Sequence, residues 1–224
     1  MVRQESRRSI RIQSLSRELD LVGEAFDIDL DEAMPVAIEL SYCAGQLVVA
    51  WQRQDVDGDL IQSATLSPRT GQLSTIVTAS RQGRQPTLAC AGARAALAWS
   101  ERRRGLQDLY LSWLDEQGRP SDAQLLSGET GAADEPDLAC TDRECALVWS
   151  DGRFPYPEIF GVIIEPEREE PPESHRVSTH AQGESGAGGA YAPSIAAGDG
   201  ERFLVAWHDN RSGDEREIYA ATLS

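Results

Sequence analysis

Short apolar runs that end in tryptophan recur along the chain about every 50 residues, the signature of a repeat architecture. They read QLVVAW, RAALAW, ECALVW and RFLVAW, and they end at Trp51, Trp99, Trp149 and Trp207. The runs are apolar at nearly every position, which is typical of a strand covered on both faces. No apolar period of 3.6 residues persists along the chain, so the pattern predicts an all-β protein.

Each tryptophan run lies between two further predicted strands. The preceding strand begins near a proline (Pro35, Pro86, Pro136 and Pro193), and three of these strands read PTLA, PDLA and PSIA. The following strands read IQSATLS, LYLSWL, IFGVII and IYAATLS, and the segments after them are long enough for a fourth strand. Four short antiparallel strands per repeat form one blade of a β-propeller, and a blade needs neighbours to bury its two faces.

We therefore predict a small β-propeller of about four four-stranded blades, with a two-sheet sandwich as the alternative fold. The propeller domain covers residues 21–224, and residues 1–20 form an N-terminal segment with an extra strand. The repeat units cover residues 35–85, 86–135, 136–192 and 193–224, and residues 21–31 complete the last unit.

Ring closure is predicted to depend on the N-terminal strand. Phe26 and Ile28 lie in an alternating segment that would pair with Ile218–Leu223, supply the fourth strand of the last unit and remove an open sheet edge. Residues 9–16, SIRIQSLS, resemble a third strand for which such a ring has no place. They are interpreted as an added edge strand, as a contact to another subunit or a second chain, or as the trace of a larger repeat array.

The composition of the chain excludes several classes of binding partner and reaction. The net charge is −16, which argues against nucleic acid because phosphate binding depends on basic patches. All 21 basic residues are arginine, so chemistry that needs lysine is excluded. No apolar stretch approaches the roughly 20 residues that membrane insertion requires. The start, MVRQESRRSIRIQ, has no apolar run behind its basic residues, so no signal peptide is visible.

The last unit, PSIAAGDGERFLVAWHDNRSGDEREIYAATL, resembles a repeat common in secreted and surface proteins of bacteria. That repeat has the pattern P-S-[VI]-A, a glycine-rich turn, [FY]-L-V-x-W-x-D-x-R and then [DE]-I-Y. The other three units match it less well; Gln52 and Arg53, for example, follow the first tryptophan. The resemblance implies a propeller-like fold and an extracytoplasmic setting, whether secreted, periplasmic or on the cell surface, and it implies no reaction.

An acid and an arginine follow three of the tryptophans at fixed spacing. The pairs are Glu101 with Arg103, Asp151 with Arg153, and Asp209 with Arg211. A group that recurs once per blade is predicted to hold the loop between strands through an ion pair. The alternative is a ligand site at one rim of the ring.

A calcium site is the best metal candidate. Asp55, Asp57 and Asp59 alternate around Gly58 in the loop DVDGD, and short loops wrap Ca²⁺ with carboxylates in this way. Leu66 stands where an EF-hand would have its last glutamate, so the alternative is a solvated acidic turn.

Four cysteines allow three complete pairings. Cys140 and Cys145 flank a short turn between two predicted strands, so we predict a disulfide across that hairpin. Cys90 is equivalent to Cys140, but its partner position is Ala95, and Cys90 is therefore predicted to be unpaired.

Nothing in the sequence marks a catalytic centre. The three histidines, His175, His180 and His208, are predicted to be surface residues, and no GxSxG motif accompanies them. We expect a non-catalytic binding or scaffold module for a protein or glycan partner. The alternatives are a propeller-type glycoside hydrolase or lyase, which needs two placed carboxylates, and a structural part of a larger propeller assembly, including a homo-oligomer.

Overall fold

A computed structural model describes residues 9–30, 33–56, 58–103, 105–128, 132–168, 172–178, 188–200, 202–210 and 216–223, without the side chain of Asp55. Within these ranges the chain forms β-strands and no helix, so the all-β prediction is confirmed. A helix that is long and apolar enough to cross a membrane is therefore not found in the described part of the chain.

The strands form five antiparallel sheets. The N-terminal sheet, here called the half-blade, contains β1 (Ser9–Leu15) and β2 (Leu21–Asp29). The first blade contains β3 (Met34–Cys43), β4 (Gln46–Asp55), β5 (Gly58–Leu66) and β6 (Val77–Ser80); the second contains β7 (Gly83–Ala91), β8 (Arg94–Arg103), β9 (Leu106–Leu114) and β10 (Gln124–Leu125). The third contains β11 (Ala133–Cys140), β12 (Cys145–Asp151), β13 (Glu158–Ile164) and β14 (His175–Arg176), and the fourth contains β15 (Ala190–Ala197), β16 (Phe203–Asp209) and β17 (Glu217–Leu223).

The four tryptophans occupy equivalent buried positions near the ends of the second strands. Each blade has a trailing face, which packs on the preceding sheet, and a leading face, which packs on the next. Trp99 packs on the first blade beside Val48 and Ile61, while Trp149 and Trp207 pack on the second and third blades. Both faces of the second strand are covered in the first three blades, and these strands are apolar at nearly every position for that reason.

The half-blade covers the tryptophan of the first blade. Ile10, Ile28 and Leu30 form one buried cluster with Val49 and Trp51. The alternation predicted for β2 is correct, because Ile28 and Leu30 are buried whereas Asp27 and Asp29 are exposed.

The predicted ring closure is wrong. β2, which contains Phe26 and Ile28, pairs with β1, while β17 pairs with β16 and is the edge of a three-stranded sheet. The prediction of four four-stranded blades is wrong for the same reason, because β2 does not complete the last blade. Three blades have four strands, the fourth blade has three, and the half-blade forms a fifth sheet. A local hairpin closes a short loop at low entropic cost, and Arg11 adds a bidentate pair with Asp27 across the two strands.

Every first strand contains a β-bulge opposite the tryptophan, and one residue of each bulge has a left-handed backbone. These residues are Ala37, Gln85, Glu135 and Ala192, with φ of 48°, 50°, 53° and 45°. Bulges re-aim side chains next to functional sites. The prolines of the second to fourth blades lie directly after these residues, but in the first blade Ile38 takes that place and Pro35 lies three residues earlier.

Two disulfides stabilise the blades. Cys140 and Cys145 are bonded across the β11–β12 hairpin, as predicted, with Cα atoms 3.9 Å apart. The prediction that Cys90 is unpaired is wrong, because Cys90 on the trailing face of the second blade is bonded to Cys43 on the leading face of the first. The hairpin partner position is indeed Ala95, but Cys90 finds its partner in the neighbouring sheet. Two disulfides are typical of an oxidising, extracytoplasmic environment.

Candidate active site at the first strands

The first strands of the blades bring four equivalent side chains to the inner edge of adjacent sheets. In each blade this residue pairs with the one directly before the tryptophan of the second strand, so the four share one register position. They are Glu39, Thr87, Asp137 and Ser194. Direct hydrogen bonds between successive first strands show that this position lies where the blades meet.

Two of these side chains connect neighbouring blades. The hydroxyl of Thr87 accepts a 3.1 Å hydrogen bond from the backbone N–H of Leu138 in the third blade. In the same way, Asp137 Oδ2 accepts a 2.9 Å bond from the N–H of Ile195 in the fourth blade. Asp137 Oδ1 accepts from its own neighbour Leu138 at 3.0 Å and from the Thr87 hydroxyl at 3.4 Å. Asp137 is thereby held in one orientation.

The left-handed residues form a second row of bonds between blades. The backbone N–H of Gln85 donates to Gln52 Oε1, the N–H of Glu135 donates to Gln85 Oε1, and the N–H of Ala192 donates to Glu135 Oε2. A side chain of one blade therefore accepts from the bulge of the next blade. This row fixes the bulges of the second, third and fourth blades without using the carboxyl group of Asp137.

Glu39 differs from Thr87 and Asp137 in its contacts. It is half-buried, yet among the described residues its carboxyl group makes no hydrogen bond, whereas Thr87 and Asp137 each bond to the next blade. Burial raises the pKa of Glu39, and the nearby Asp137 carboxylate raises it further. Two carboxyl groups in different environments, one with a raised pKa and one held by hydrogen bonds, are the kind of pair that acid–base catalysis requires.

The acid–arginine pairs lie at the ends of the second strands, away from the first-strand row, and Glu101–Arg103 and Asp151–Arg153 form the ion pairs predicted for them. The carboxylate of Asp151 is fully buried and accepts from the Trp149 indole at 2.8 Å and from Arg153 at 2.7 Å. The Arg153 guanidinium lies 4.1 Å from the centre of the Phe160 ring, which stacks on Trp149. These contacts order the strand ends.

The other copies of this motif are similar. Glu101 accepts from Trp99 at 3.0 Å and pairs with Arg103, and Asp209 accepts from Trp207 at 3.3 Å. Arg211 lies outside the described residues. In the first blade Arg53 stands where the other blades have an acid, and the buried indole N–H of Trp51 has no acceptor in the described part of the chain.

The predicted calcium loop is described only in part. Asp57 and the side chain of Asp55 lie outside the description, so calcium binding at Asp55, Asp57 and Asp59 stays a prediction. The carboxylate of Asp59 is buried, accepts from Gln52 at 3.0 Å and pairs with Arg84 at 2.6 Å. Within the described ranges no cluster of three or more His, Cys, Asp or Glu side chains is arranged to hold a metal ion.

The two histidines that the structure describes lie outside the first-strand row. His175 is exposed in β14, and the His208 ring stacks on Tyr191 with the ring centres 5.6 Å apart. His180 lies outside the described residues.

Sequence reasoning missed the first-strand row, although a signal for it exists. The first and last residues are the same in the three segments PTLA, PDLA and PSIA, whereas the two residues between them vary. The second residue of each segment, Thr87, Asp137 or Ser194, is the one that lies in the row. Alignment on Pro35 places Val36 in that row, whereas the strand register places Glu39 there. The different position of the proline in the first blade therefore concealed Glu39, the one acid that is equivalent to Asp137.

No family model matches the sequence, and no curated protein matches it. Among solved structures, the fold is similar to a thermostable family-43 glycoside hydrolase at a TM-score of 0.50, with 12% identity over 87% of this chain and 72% of that one. It is similar to the catalytic domain of the family-62 α-L-arabinofuranosidase of Coprinopsis cinerea at 0.51, with 11% identity over 84% and 64%. A Dyadobacter fermentans protein of unknown function gives 0.57, with 12% identity over 80% and 50%.

The chain spans 42 to 72% of the lengths of several glycoside hydrolases and a neuraminidase-like protein that it resembles. At such low identity these likenesses show the fold alone. The two glycoside hydrolases named above are β-propellers, and the described residues show several antiparallel sheets packed side by side. The chain therefore has a β-propeller-like fold.

Proposed function

We propose that this protein is a carbohydrate-directed propeller of the glycoside hydrolase type, with Glu39 as its acid and Asp137 as the second carboxyl group. The observation that carries the proposal is the state of Glu39. In the row where Thr87 and Asp137 bond to the next blade, Glu39 is half-buried, has no hydrogen bond among the described residues and has a raised pKa. The likeness to family-43 and family-62 enzymes supports the same class of substrate.

The chemistry follows from the two environments. A glutamic acid with a raised pKa is a better proton donor than an ordinary surface carboxylate, and it would donate its proton to the glycosidic oxygen as the bond to the leaving sugar breaks. The Asp137 carboxylate is held by the amides of Leu138 and Ile195, and it would supply the negative charge that stabilises the oxocarbenium-like transition state or the base that activates a water molecule.

The non-catalytic binding module is the second candidate, and one observation favours it. Both oxygens of Asp137 already accept hydrogen bonds that link blades, so this carboxylate has a structural role in addition to any role toward a ligand. In that case the first-strand row would bind a glycan or a protein partner without cleaving it.

A comparison of hydrolysis and binding separates the two candidates. The wild-type chain, Glu39→Gln and the matched control Glu24→Gln, which changes an exposed glutamate of β2, would be incubated with arabinan, arabinoxylan and sialylated glycans. Released sugar would be measured together with retardation in affinity gels. We expect hydrolysis by wild type and Glu24→Gln, a loss of at least 100-fold in Glu39→Gln, and retained binding.

The pH profile gives an independent readout. An acid catalyst loses activity as the pH rises through its pKa, and removal of the Asp137 charge should lower the pKa of Glu39. Asp137→Asn should therefore lower the rate, because a proposed catalytic carboxyl group is lost, and should shift the alkaline limb of the remaining activity to lower pH. Binding without hydrolysis by wild type would establish the binding module, and neither binding nor hydrolysis would overturn both candidates.

We further propose that the chain acts outside the cytoplasm, as a secreted, periplasmic or surface protein. The two disulfides and the resemblance to repeats of secreted bacterial proteins support this placement. Expression with and without a secretion signal, followed by thiol counting, tests it, because a protein that folds equally well with all four thiols reduced would contradict it.

A further inference from the structure

The trailing face of a blade is normally buried by the preceding blade along its first strand. Leu88, Leu138 and Ile195 occupy one equivalent position, opposite the residue two before the tryptophan. They are 7%, 6% and 8% exposed. Leu88 packs in the cluster that contains Val48 and Ala50 of the first blade. The same interface therefore occurs three times.

The first blade breaks this rule at its first strand. Leu40 holds the equivalent position, opposite Val49, and is 52% exposed. Ile38 and Tyr42, on the same face of β3, are exposed as well. On the second strand of the same face, Val49 and Trp51 are fully buried, because the half-blade covers them. The half-blade thus covers the outer strands of the face and leaves its first strand open.

The half-blade itself shows which strands would cover the rest. In chain order β1 and β2 precede the first strand of a blade, as the third and fourth strands of the other blades do. A third strand pairs on one side with the fourth strand and on the other side with the second. β1 pairs with β2, and its opposite edge pairs with no strand in the described part of the chain.

We propose that this edge and the open face of β3 bind a β-hairpin, which takes the place of the first and second strands of the half-blade. The occupant follows from the repeated interface. Pairs of small or medium apolar residues cover the equivalent leucines and isoleucine in the other blades, namely Val48 with Ala50, Ala96 with Ala98, and Ala146 with Val148. The partner hairpin should present such a pair to Leu40 and add its second strand to β1 by β-augmentation.

This inference does not depend on the proposed enzymatic function. The leading face of the fourth blade is consistent with it, because Leu204 and Ile218 are equivalent to the buried Val48 and Ile61 and yet are 54% and 76% exposed. An inserted hairpin has two faces, and in a radial arrangement of blades its second face would meet this surface.

A ready-made probe exists in the chain itself. A synthetic peptide of residues 133–151 contains β11 and β12, and its Cys140–Cys145 disulfide keeps the hairpin closed. The peptide, labelled with a fluorophore, would be titrated with the whole chain, and a linear peptide of scrambled order would serve as the peptide control. Fluorescence anisotropy measures binding, and hydrogen–deuterium exchange of the β1 amides reports on the edge.

Two variants test whether the peptide binds at the open face of β3 or elsewhere on the protein. We expect saturable one-to-one binding of the peptide, and we expect this binding to slow amide exchange in β1. Leu40→Asp should weaken the binding at least tenfold. The matched control Leu106→Asp, which changes another exposed leucine, should bind as wild type does. Both substitutions are at exposed positions, and circular dichroism would verify that each variant is folded.

Three results would overturn the proposal: no binding of the closed hairpin, equal binding to Leu40→Asp, or unchanged exchange in β1. A wild-type dimer in sedimentation that Leu40→Asp disperses would show that a second copy covers this face and would overturn it too.

Discussion

The indole N–H of Trp149 donates a 2.8 Å hydrogen bond to the carboxylate of Asp151, two residues along the same strand. Asp151 is fully buried and also receives three bonds from Arg153, one from its backbone and two from its guanidinium. A carboxylate with this many donors organises the strand end, the following loop and the tryptophan together. The group repeats at Glu101 and Asp209, so its energetic contribution can be compared among blades.

Removal of the Asp151 charge should destabilise the fold strongly. Asp151→Asn leaves a buried indole N–H and a partly buried guanidinium with one neutral acceptor, and we expect a loss of about 2–4 kcal/mol of unfolding free energy. The control is Asp115→Asn, which breaks an exposed pair with Arg119 and should cost less than about 1 kcal/mol. Urea denaturation measures both, and equal losses would contradict the structural role assigned to Asp151.

The same carboxyl groups predict the acid limb of the stability profile. Burial alone would raise the pKa of Asp151, but the hydrogen bonds from Arg153 and Trp149 outweigh it and the pKa is lowered. Glu101 has a lowered pKa for the same reasons, with Arg103, Ser80 and Trp99 as donors. A lowered pKa stabilises the fold above the pKa of the unfolded chain, roughly 4, and this stabilisation is lost as the pH falls through the folded value.

The difference in melting temperature between wild type and Asp151→Asn should therefore be largest at neutral pH. It should shrink as the pH falls below about 4. Thermal melts from pH 7 to pH 2 measure it. A difference that stays constant over this range would show that the pKa of Asp151 is not lowered.

The two disulfides should differ in their contributions. Cys43 and Cys90 are 47 residues apart in sequence, whereas Cys140 and Cys145 are 5 apart. By the chain-entropy relation, removal of the first should cost about 4 kcal/mol and removal of the second about 2 kcal/mol. The double serine variant of each pair, compared by chemical denaturation, tests this order. The opposite order would mean that the bond between blades restricts the unfolded chain little.

Much of the fold can be predicted from the sequence because a repeat shows its pattern four times. Trp51, Trp99, Trp149 and Trp207 establish the second strands, and the segments around them predict the strands on either side. The Cys140–Cys145 bond is also visible in the sequence, because it lies within one hairpin. Each of these predictions concerns contacts within one blade.

Contacts between blades are harder to predict. The partner of Cys90 lies in the preceding blade at Cys43, a contact that depends on how two sheets face each other. The pairing of β2 with β1 was missed because a four-bladed ring has no position for residues 9–16. Glu39 escaped notice because Pro35 suggested a register that differs by three residues from the one the strands adopt. The Cys90 error concerns the relation between two sheets. The other two errors concern pairing within one sheet, where the expected ring favoured another partner for β2 and Pro35 favoured another register for β3.

The orphan indole of the first blade gives the last prediction. The Nε1–H of Trp51 is buried and has no acceptor in the described part of the chain, because Arg53 replaces the acid that Trp149 uses. Trp51→Phe removes an unsatisfied donor together with some packing, whereas Trp149→Phe also leaves the buried Asp151 without one of its donors. Trp51→Phe should therefore cost less than Trp149→Phe by about 1–2 kcal/mol.

Both tryptophans are fully buried, so the packing losses are comparable and the difference isolates the hydrogen bond. Adding Asp151→Asn to Trp149→Phe completes a double-mutant cycle. The Trp149–Asp151 coupling should account for most of the difference between the two phenylalanine variants. A Trp51→Phe variant that is as unstable as Trp149→Phe, with no coupling in the cycle, would show that the indole bond contributes nothing and that packing alone explains the repeated tryptophan.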